Sequence, residues 1–213
     1  RWMSWRFVSR LRKPNPRSLS QVDCLRDAIA ARLAKTWTLP IRSLEIGAGA
    51  APFSRSLREA FPSLAFQLDV VEPSDTFADF WGVYGIRKVA NDLKDISVER
   101  AYHIAQGSHV LEHVTDASST LTRIKSLMQP DGVLMVEVPN CQEPYWTYRF
   151  FPDPPHVRFF TPASLRAVLQ RHGFEVLLLQ TWGRPLESEQ HVGYLAPDSP
   201  VLMSPDEIKR LVA

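Results

Sequence analysis

The feature that most constrains this chain is an apolar strand pattern that runs directly into a loop of very small residues. The segment Ile41–Ile46, IRSLEI, is followed at once by Gly47, Ala48 and Gly49. Glycines here let the backbone turn sharply and approach a ligand, because they carry no Cβ atom. Pro52 then favours the first turn of a helix. The segment therefore predicts a strand, a glycine loop and a helix in immediate succession.

Strand and helix patterns alternate along the rest of the chain. Further strands are predicted at residues 66–72, 86–91, 101–106, 133–138, 174–180 and 191–195, with a turn at 129–132. Helices are predicted at 53–61 and 75–80, after an N-cap at Ser20, after a cap at Asp116, and from Thr161 to Gly173. This alternation favours a mostly parallel sheet covered by helices. Ligands of such sheets bind at the carboxyl ends of the strands, near the switch point in strand order.

Composition divides the chain into three parts. Residues 1–40 are predicted to form a basic N-terminal arm and a helix, residues 41–196 the main α/β domain, and residues 197–213 a C-terminal tail. Within the domain, residues 139–160 hold five prolines and seven aromatic residues. A connection of this length is typical of a lid or a binding loop.

The net charge of +2 is a property of the arm. Six of the 25 basic residues precede the first acid, Asp23, and the remainder carries 19 basic and 23 acidic residues. This balance argues against a nucleic-acid partner. The basic, aromatic arm is compatible with contact to an anionic membrane surface, but an arm folded over the domain is favoured. Cys24 and Cys141 show neither metal nor disulfide spacing, which favours a reducing cytoplasm.

Acids stand at the predicted carboxyl ends of three strands. Glu45 precedes Gly47 by two residues, where its charge would repel a pyrophosphate but attract an ammonium or sulfonium group. The third glycine of a dinucleotide-binding G-x-G-x-x-G motif is replaced by Pro52. Glu72 ends the second strand, near the spacing at which an acid accepts hydrogen bonds from ribose hydroxyls. Asp92 follows the third strand as a candidate partner for an adenine amino group. The alternative for Glu72 is a solvated acid at a strand end, and the alternative for Asp92 is a surface acid beside a lysine.

Six motifs follow one another in a familiar order: LEIGAGAAPFS, LDVVEPS, ANDLKD, GSHVLEHVTD, LMQPDGVLMVEVPN and HVRFFTPASLRAVLQRHGFEV. With them, residues 41–181 resemble class I S-adenosylmethionine-dependent methyltransferases, closest to the small-molecule branch that contains the ubiquinone-biosynthesis O-methyltransferases. The resemblance implies a Rossmann-like, doubly wound, mostly parallel sheet of seven strands in a single domain. The N-terminal arm and the aromatic lid would be additions to it.

The same resemblance implies S-adenosylmethionine as the cofactor. Glu45 and the glycine loop would bind the methionine end, Glu72 the ribose and Asp92 the adenine. The full set of cofactor-binding residues implied is Glu45, Gly47, Ala48, Gly49, Glu72, Pro73, Asp92, Leu93 and Ser108.

Methyl transfer requires a nucleophile held in line with the sulfonium methyl group, exclusion of water and, for many acceptors, removal of a proton. His109 and His113, after the fourth strand, and His156, in the lid, are the candidate bases, because imidazole titrates near neutral pH. Structural alternatives are that Glu112 and His113 cap the following turn and that His156 anchors the lid. No metal is assigned, because His109 stands where metal-binding relatives have an acid.

The predicted function is methyl transfer to a small molecule, at a hydroxyl of a sugar, quinone or secondary metabolite. One rival is a nicotinamide-dependent oxidoreductase on the same kind of sheet, against which Glu45 and the missing third glycine argue. The other is a catalytically silent cofactor-binding scaffold protein. The segment after the fourth strand holds no Asn-Pro-Pro-Tyr motif of the kind that base-flipping methyltransferases use. The acceptor and the oligomeric state are not predicted.

Overall fold

The computed structural model describes residues 15–97, 101–141 and 156–181. The chain divides into two compact units. We call residues 1–110 and 122–137 the sheet unit, and residues 111–121 and 138–213 the second unit. The predicted strand at 191–195, the C-terminal tail, most of the arm and the central part of the lid lie outside the described residues.

The described residues of the sheet unit form five parallel strands. They are β1 (Ile41–Ile46), β2 (Phe66–Val71), β3 (Ile86–Ala90), β4 (Tyr102–Ser108) and β5 (Met128–Glu137). Their order across the sheet is β3-β2-β1-β4-β5, and every neighbouring pair is parallel. The chain moves outward from β1 to β3 and then returns to the other side of β1 as β4. The switch in strand order therefore falls between β1 and β4, where α/β sheets bind ligands.

Four described α-helices have residues in the sheet unit, and the first three of them contribute apolar residues to its core. They are α1 (Pro16–Leu33), α2 (Pro52–Ala60), α3 (Ala78–Val83) and α4 (Ala117–Leu127), the last of which has residues in both units. From α1, Val22, Leu25 and Ile29 enter the same apolar core as Phe53 of α2 and Trp81 of α3. The helix that precedes the first strand is thus part of the packed core.

The start of α1 differs from the sequence prediction. Its N-cap is Asn15, whose side chain accepts a hydrogen bond from the N–H of Ser18 at 3.3 Å, and Pro16 occupies the first helical turn. Ser20 lies inside the helix, where its hydroxyl donates to the carbonyl of Pro16 at 3.1 Å. The predicted cap at Ser20 was wrong because Asn15 and Pro16 already provide a complete helix start, with the N-cap five residues earlier.

The predicted turn at 129–132 lies inside β5. Met128 pairs with Tyr102 and Val133 pairs with Ile104, so four residues of β5 bulge opposite a single residue of β4. A Cβ atom on Gly132 would lie 3.2 Å from the carbonyl oxygen of His103. The turn-forming residues therefore make an irregularity in the strand instead of ending it.

The described part of the second unit contains one further helix, α5 (Pro162–Arg171). It begins as predicted: Thr161 is the N-cap, in a capping box with Ser164, and Gly173 follows the helix with a φ of +73°. The ends of the predicted lid are joined, because the N–H of Cys141 donates to the carbonyl of Phe160 at 2.8 Å.

The strand predicted at 174–180 does not form. These residues have no regular structure, and Leu177 and Leu178 are each 56% exposed. A strand forms only where its backbone hydrogen bonds run to a neighbouring strand, whereas the N–H of Phe174 donates back to the carbonyl of Leu169 in α5 at 3.1 Å. Of the seven strands expected, the described residues therefore form five. In the same part of the chain, none of the helices is both long and apolar enough to cross a lipid bilayer.

Candidate functional site

The glycine loop after β1 has the backbone conformation that its sequence predicts. Gly47 and Gly49 have φ angles of +64° and +49°, which strain any residue with a Cβ atom. A Cβ atom on Gly47 would also lie only 2.9 Å from the side chain of Val110. The loop closes on itself, because the N–H of Ala51 donates to the carbonyl of Ala48 at 2.7 Å.

Glu45 joins the end of β1 to the start of α2. Its side chain is buried, and its two carboxylate oxygens accept hydrogen bonds from the backbone N–H groups of Phe53 (3.3 Å) and Ser54 (2.8 Å). The N-cap of α2 is Ala51, which has no side-chain acceptor, so Glu45 caps the helix from the neighbouring strand. Burial raises the pKa of Glu45 to about 7, although the hydrogen bonds from Ser54 and Phe53 oppose that shift.

Glu72 and Trp81 hold Gly49 from two sides. One oxygen of Glu72 accepts from the N–H of Gly49 at 2.9 Å, and the other accepts from the N–H of Ser74 at 3.2 Å. The indole N–H of Trp81 donates to the carbonyl of Gly49 at 2.9 Å. The acid that directly follows β2 is therefore in contact with the glycine loop.

Asp92 lies after β3, where it caps a short 3-10 helix (Leu93–Asp95). Its carboxylate accepts from the backbone N–H of Lys94 at 3.1 Å and lies 3.5 Å from the ammonium group of that lysine. Leu93 is buried, whereas Pro73 is exposed. The local contacts of Asp92 are those of the surface-acid alternative, and they leave much of its side chain open to solvent.

A cavity of about 200 Å³ lies at the carboxyl ends of β1 and β4. The lining residues comprise predicted site residues, their neighbours at the strand ends and part of α1: Glu45, Gly47, Ala48, Pro52, Phe53, Gln106, Ser108, His109, Asn15, Arg17, Ser18 and Gln21. The structure thus brings Glu45, the glycine loop, Ser108 and His109 around one cavity within the sheet unit.

A polar network around Glu137, the last residue of β5, was missing from the sequence analysis. Arg17 donates to Glu137 through Nε at 2.8 Å and to Ser108 Oγ through Nη2 at 3.1 Å. Ser108 Oγ donates to Glu137 Oε2 at 3.1 Å, and the side-chain amide of Gln21 also donates to that oxygen. The sequence does not indicate this network, because it forms only when α1 is placed over the ends of β4 and β5.

His109 lies at the edge of this network. Its backbone is left-handed, with a φ of +54°, and its N–H donates to the carbonyl of Glu137 at 2.9 Å. Its ring nitrogen Nε2 contacts Nη2 of Arg17. His109 is thus the predicted catalytic histidine that the structure places at the cavity wall.

The other two predicted histidines lie together in the second unit. The rings of His113 and His156 are 4.8 Å apart, and Nε2 of His113 is 3.9 Å from the Glu112 carboxylate. The carbonyl of Glu112 accepts from the N–H groups of Val157 (2.8 Å) and Arg158 (3.1 Å), so this turn also anchors the end of the lid. One potential ligand atom from each of Glu112, His113 and His156 lies within 4.8 Å of the others, which suits a divalent cation, whereas the sequence analysis assigned no metal.

Comparison with known proteins agrees with these features. A family model described as a methyltransferase domain matches residues 18–179. A ubiquinone biosynthesis O-methyltransferase of Rhodopseudomonas palustris (strain HaA2) is 28% identical over 160 residues, covering 67% of this chain and 61% of the relative. The chain thus spans about three fifths of the length of that relative.

Solved structures show the same fold. A SAM-dependent methyltransferase from Archaeoglobus fulgidus has a TM-score of 0.56 and 22% identity, covering 81% of this chain and 76% of that one. The 1,6-didemethyltoxoflavin-N1-methyltransferase of Burkholderia thailandensis, solved with bound 1,6-didemethyltoxoflavin and S-adenosylhomocysteine, has a TM-score of 0.57 and 19% identity, covering 79% of this chain and 71% of that one. The expected α/β fold with a parallel sheet is confirmed.

The hydrogen bond from Trp81 to Gly49 predicts unequal effects of one substitution at two buried tryptophans. Trp81→Phe removes a donor that is used, whereas the indole N–H of Trp37 has no partner in the part of the chain that the structure describes. We expect Trp81→Phe to lower the free energy of unfolding by about 1 kcal/mol more than Trp37→Phe does, which is the usual net value of one hydrogen bond. Denaturant titration of both variants measures the difference, and equal losses would contradict the assigned role of Trp81.

The buried carboxyl of Glu45 predicts a pH dependence of stability. A carboxyl whose pKa is raised by folding stabilises the folded state fully below pH 4.5, and this contribution is lost as the pH rises through about 7. Relative to Glu45→Gln, the wild type should therefore lose up to about 1.4 kcal/mol per pH unit across that window. Urea unfolding of both proteins at several pH values measures this, with Glu59→Gln, an exposed residue of α2, as the control for the loss of one carboxylate. A difference between wild type and Glu45→Gln that does not vary with pH would be inconsistent with the raised pKa.

Proposed function

The chain belongs to the methyltransferase-domain family, and on that premise we propose that it transfers a methyl group from S-adenosylmethionine to a small-molecule acceptor. One observation carries the proposal: two acids border the glycine loop next to the switch in strand order, because Glu72 accepts from the N–H of Gly49 and Glu45 accepts from the first turn of α2, which directly follows the loop. A loop bordered by two carboxylates suits a cationic nucleoside better than a phosphate-bridged one.

Each acid retains capacity for a ligand. A carboxylate has about four acceptor positions, and each oxygen of Glu72 is used by one backbone N–H. We assign the ribose hydroxyls to the remaining positions on Glu72. Glu45 lines the cavity together with Gly47 and Ala48, and we assign the methionine end of the cofactor to these residues and Gly49.

The remaining cofactor contacts are assigned by position. Asp92 and Leu93, after β3, and Pro73, after β2, are proposed for the adenine side. Ser108, at the end of β4, is proposed for the side near the transferred methyl group, because it lines the cavity with His109.

In the proposed reaction the acceptor oxygen attacks the sulfonium methyl carbon in line. The oxygen–carbon bond forms as the sulfur–carbon bond breaks, and the sulfonium charge is neutralised. The proton of the acceptor hydroxyl then needs a base, and His109 at the cavity wall is the first candidate. His113 and His156 are the alternatives. A hydroxyl acceptor is favoured because the Rhodopseudomonas palustris relative is named as an O-methyltransferase.

The two rival functions give different results in one binding experiment. A nicotinamide-dependent oxidoreductase would bind a dinucleotide in preference to S-adenosylhomocysteine, although Pro52 occupies the position of the third glycine and Glu45 is buried at the turn. A silent scaffold would bind S-adenosylhomocysteine but transfer no methyl group to any acceptor.

The direct test is to incubate the protein with methyl-labelled S-adenosylmethionine and fractionated metabolite extracts. We expect labelled products one methylene heavier than their precursors, identified by mass spectrometry, together with S-adenosylhomocysteine. A parallel sample with EDTA tests whether methyl transfer requires a metal ion, for which Glu112, His113 and His156 are the candidate ligands. Absence of S-adenosylhomocysteine binding would reject the proposal, and binding without any labelled product would favour the scaffold.

The proposed roles of Glu72 and His109 predict different kinetic effects. Glu72→Ala should weaken S-adenosylhomocysteine binding roughly 10- to 100-fold, because hydrogen bonds to a charged group are lost. His109→Ala should leave that affinity unchanged and lower kcat by roughly 10²-fold or more, as expected for loss of a general base. Calorimetry and initial rates separate the two effects. Asp79→Ala, an exposed acid of α3, is the control, and equal losses of affinity at Glu72 and His109 would disprove this division of roles.

A further inference from the structure

Part of the cavity wall comes from α1, and Arg17 is its charged member. We propose that Arg17 is a positioning residue for His109, whose Nε2 atom it contacts, and that it holds the imidazole in the tautomer with its proton on Nδ1. Glu137 is the counter-ion that fixes Arg17. The tautomer is inferred from the contact with Arg17, whereas its catalytic consequence rests on the proposed function.

The tautomer follows from the chemistry of the guanidinium group. Arginine offers five N–H donors and no acceptor. Nη2 of Arg17 contacts Nε2 of His109, so that nitrogen must present its lone pair. In a neutral imidazole the proton then lies on the other nitrogen, Nδ1.

The guanidinium is held in place by more than this contact. Its Nε lies 2.8 Å from Glu137 Oε1 and its Nη2 lies 3.1 Å from Ser108 Oγ. The side chains of Arg17 and Glu137 are only 31% and 23% exposed, so solvent screens this ion pair less than a surface pair. Gln21, one turn further along α1, donates to the same carboxylate.

The backbone of His109 is fixed by the same partner. Its N–H donates to the carbonyl of Glu137 at 2.9 Å. The main chain of Glu137 thus fixes the backbone of His109, and its side chain fixes the arginine that contacts Nε2 of the ring. The backbone contact of His109 and its contact with Arg17 therefore both depend on the last residue of β5.

The consequence for catalysis concerns one atom. While Arg17 occupies Nε2, that nitrogen accepts no proton from an acceptor hydroxyl. The acceptor must take the place of the guanidinium at Nε2, and its proton then passes to Nε2 as the oxygen–methyl bond forms and the sulfur–methyl bond breaks. Without Arg17, this contact no longer excludes the proton from Nε2, and a ring protonated on Nε2 has no lone pair to offer at that atom.

The test is a nuclear magnetic resonance measurement on the full chain with ¹⁵N-labelled histidine at mildly alkaline pH. Long-range ¹H–¹⁵N correlations distinguish the two tautomers, and His109→Gln identifies the His109 signals by their absence. We expect Nδ1–H in the wild type and a majority of Nε2–H in Arg17→Met. The matched control is Arg26→Met on the same helix, an exposed arginine that pairs with Asp23 at 2.9 Å and is expected to keep the wild-type tautomer.

The wild-type spectrum tests the proposed tautomer of His109 even if Arg17→Met does not fold. A proton on Nε2 in the wild type would overturn the proposal, and an unchanged tautomer in a folded Arg17→Met would show that Arg17 does not set it. Arg17→Lys, which keeps the charge but cannot reach three partners as a fork, is the second variant, expected to shift the tautomer partway.

Once an acceptor is known, kinetic measurements test the proposed effect of Arg17 on catalysis. We expect Arg17→Met to lower kcat by roughly 10-fold or more, the size expected when the group that orients a functional side chain is lost, with the KM for S-adenosylmethionine unchanged. A changed tautomer with wild-type kcat would overturn the catalytic part. A wild type that transfers no methyl group would reject the proposed function and leave the tautomer result intact.

Discussion

The contact on which the rest of the site depends is the one between the buried carboxyl of Glu45 and the first N–H groups of α2. A buried acid is costly unless hydrogen bonds and dipoles compensate it, and the amino end of a helix provides both. Glu45 lies next to the end of β1, and its partners lie in the first turn of α2. The contact therefore joins the two ends of the intervening loop and fixes its conformation. That shape requires positive φ at Gly47, Gly49 and Ala51, and it presents the backbone groups of Gly49 to Glu72 and Trp81.

The first helix extends this site from outside the loop. Its apolar residues belong to the common core, so α1 is fixed over the strand ends by packing. Its polar residues Arg17 and Gln21 then meet Glu137 and Ser108 at the carboxyl ends of β5 and β4. The cavity therefore has two kinds of wall. One is backbone and small side chains around the glycine loop, and the other is a network of charged and amide groups that fixes the side chains beside it.

The sequence predicts well what is determined by neighbours along the chain. β1 has the predicted bounds, α2 begins at Pro52 and Thr161 caps α5, because strand periodicity, proline at a first turn and a capping hydroxyl are local signals. The acids at the strand ends were also found, since a strand end is visible in the pattern. The network at Glu137 was not, because Arg17 and Glu137 are separated by 120 residues and no local pattern links them. The strand prediction at 174–180 was wrong for a related reason. Apolar and β-branched residues favour a strand locally, but a strand also depends on pairing with residues that are distant in the sequence.

The conformation of His109 depends both on its neighbours along the chain and on a residue that is distant in the sequence. A left-handed φ is unusual for a residue with a side chain and costs of order 1 kcal/mol or more, and it persists only where the surroundings impose it. Here the carbonyl of Glu137 holds the N–H, and Gly107, two residues earlier, leaves room for Val110 to fold back with its side chain 3.7 Å from where a Cβ would lie. The strain is therefore confined to the residue that turns the chain at the end of β4. The hydrogen bond to Glu137 and the fold-back at Val110 hold the left-handed backbone in place, and that backbone sets the direction in which the His109 side chain leaves the strand.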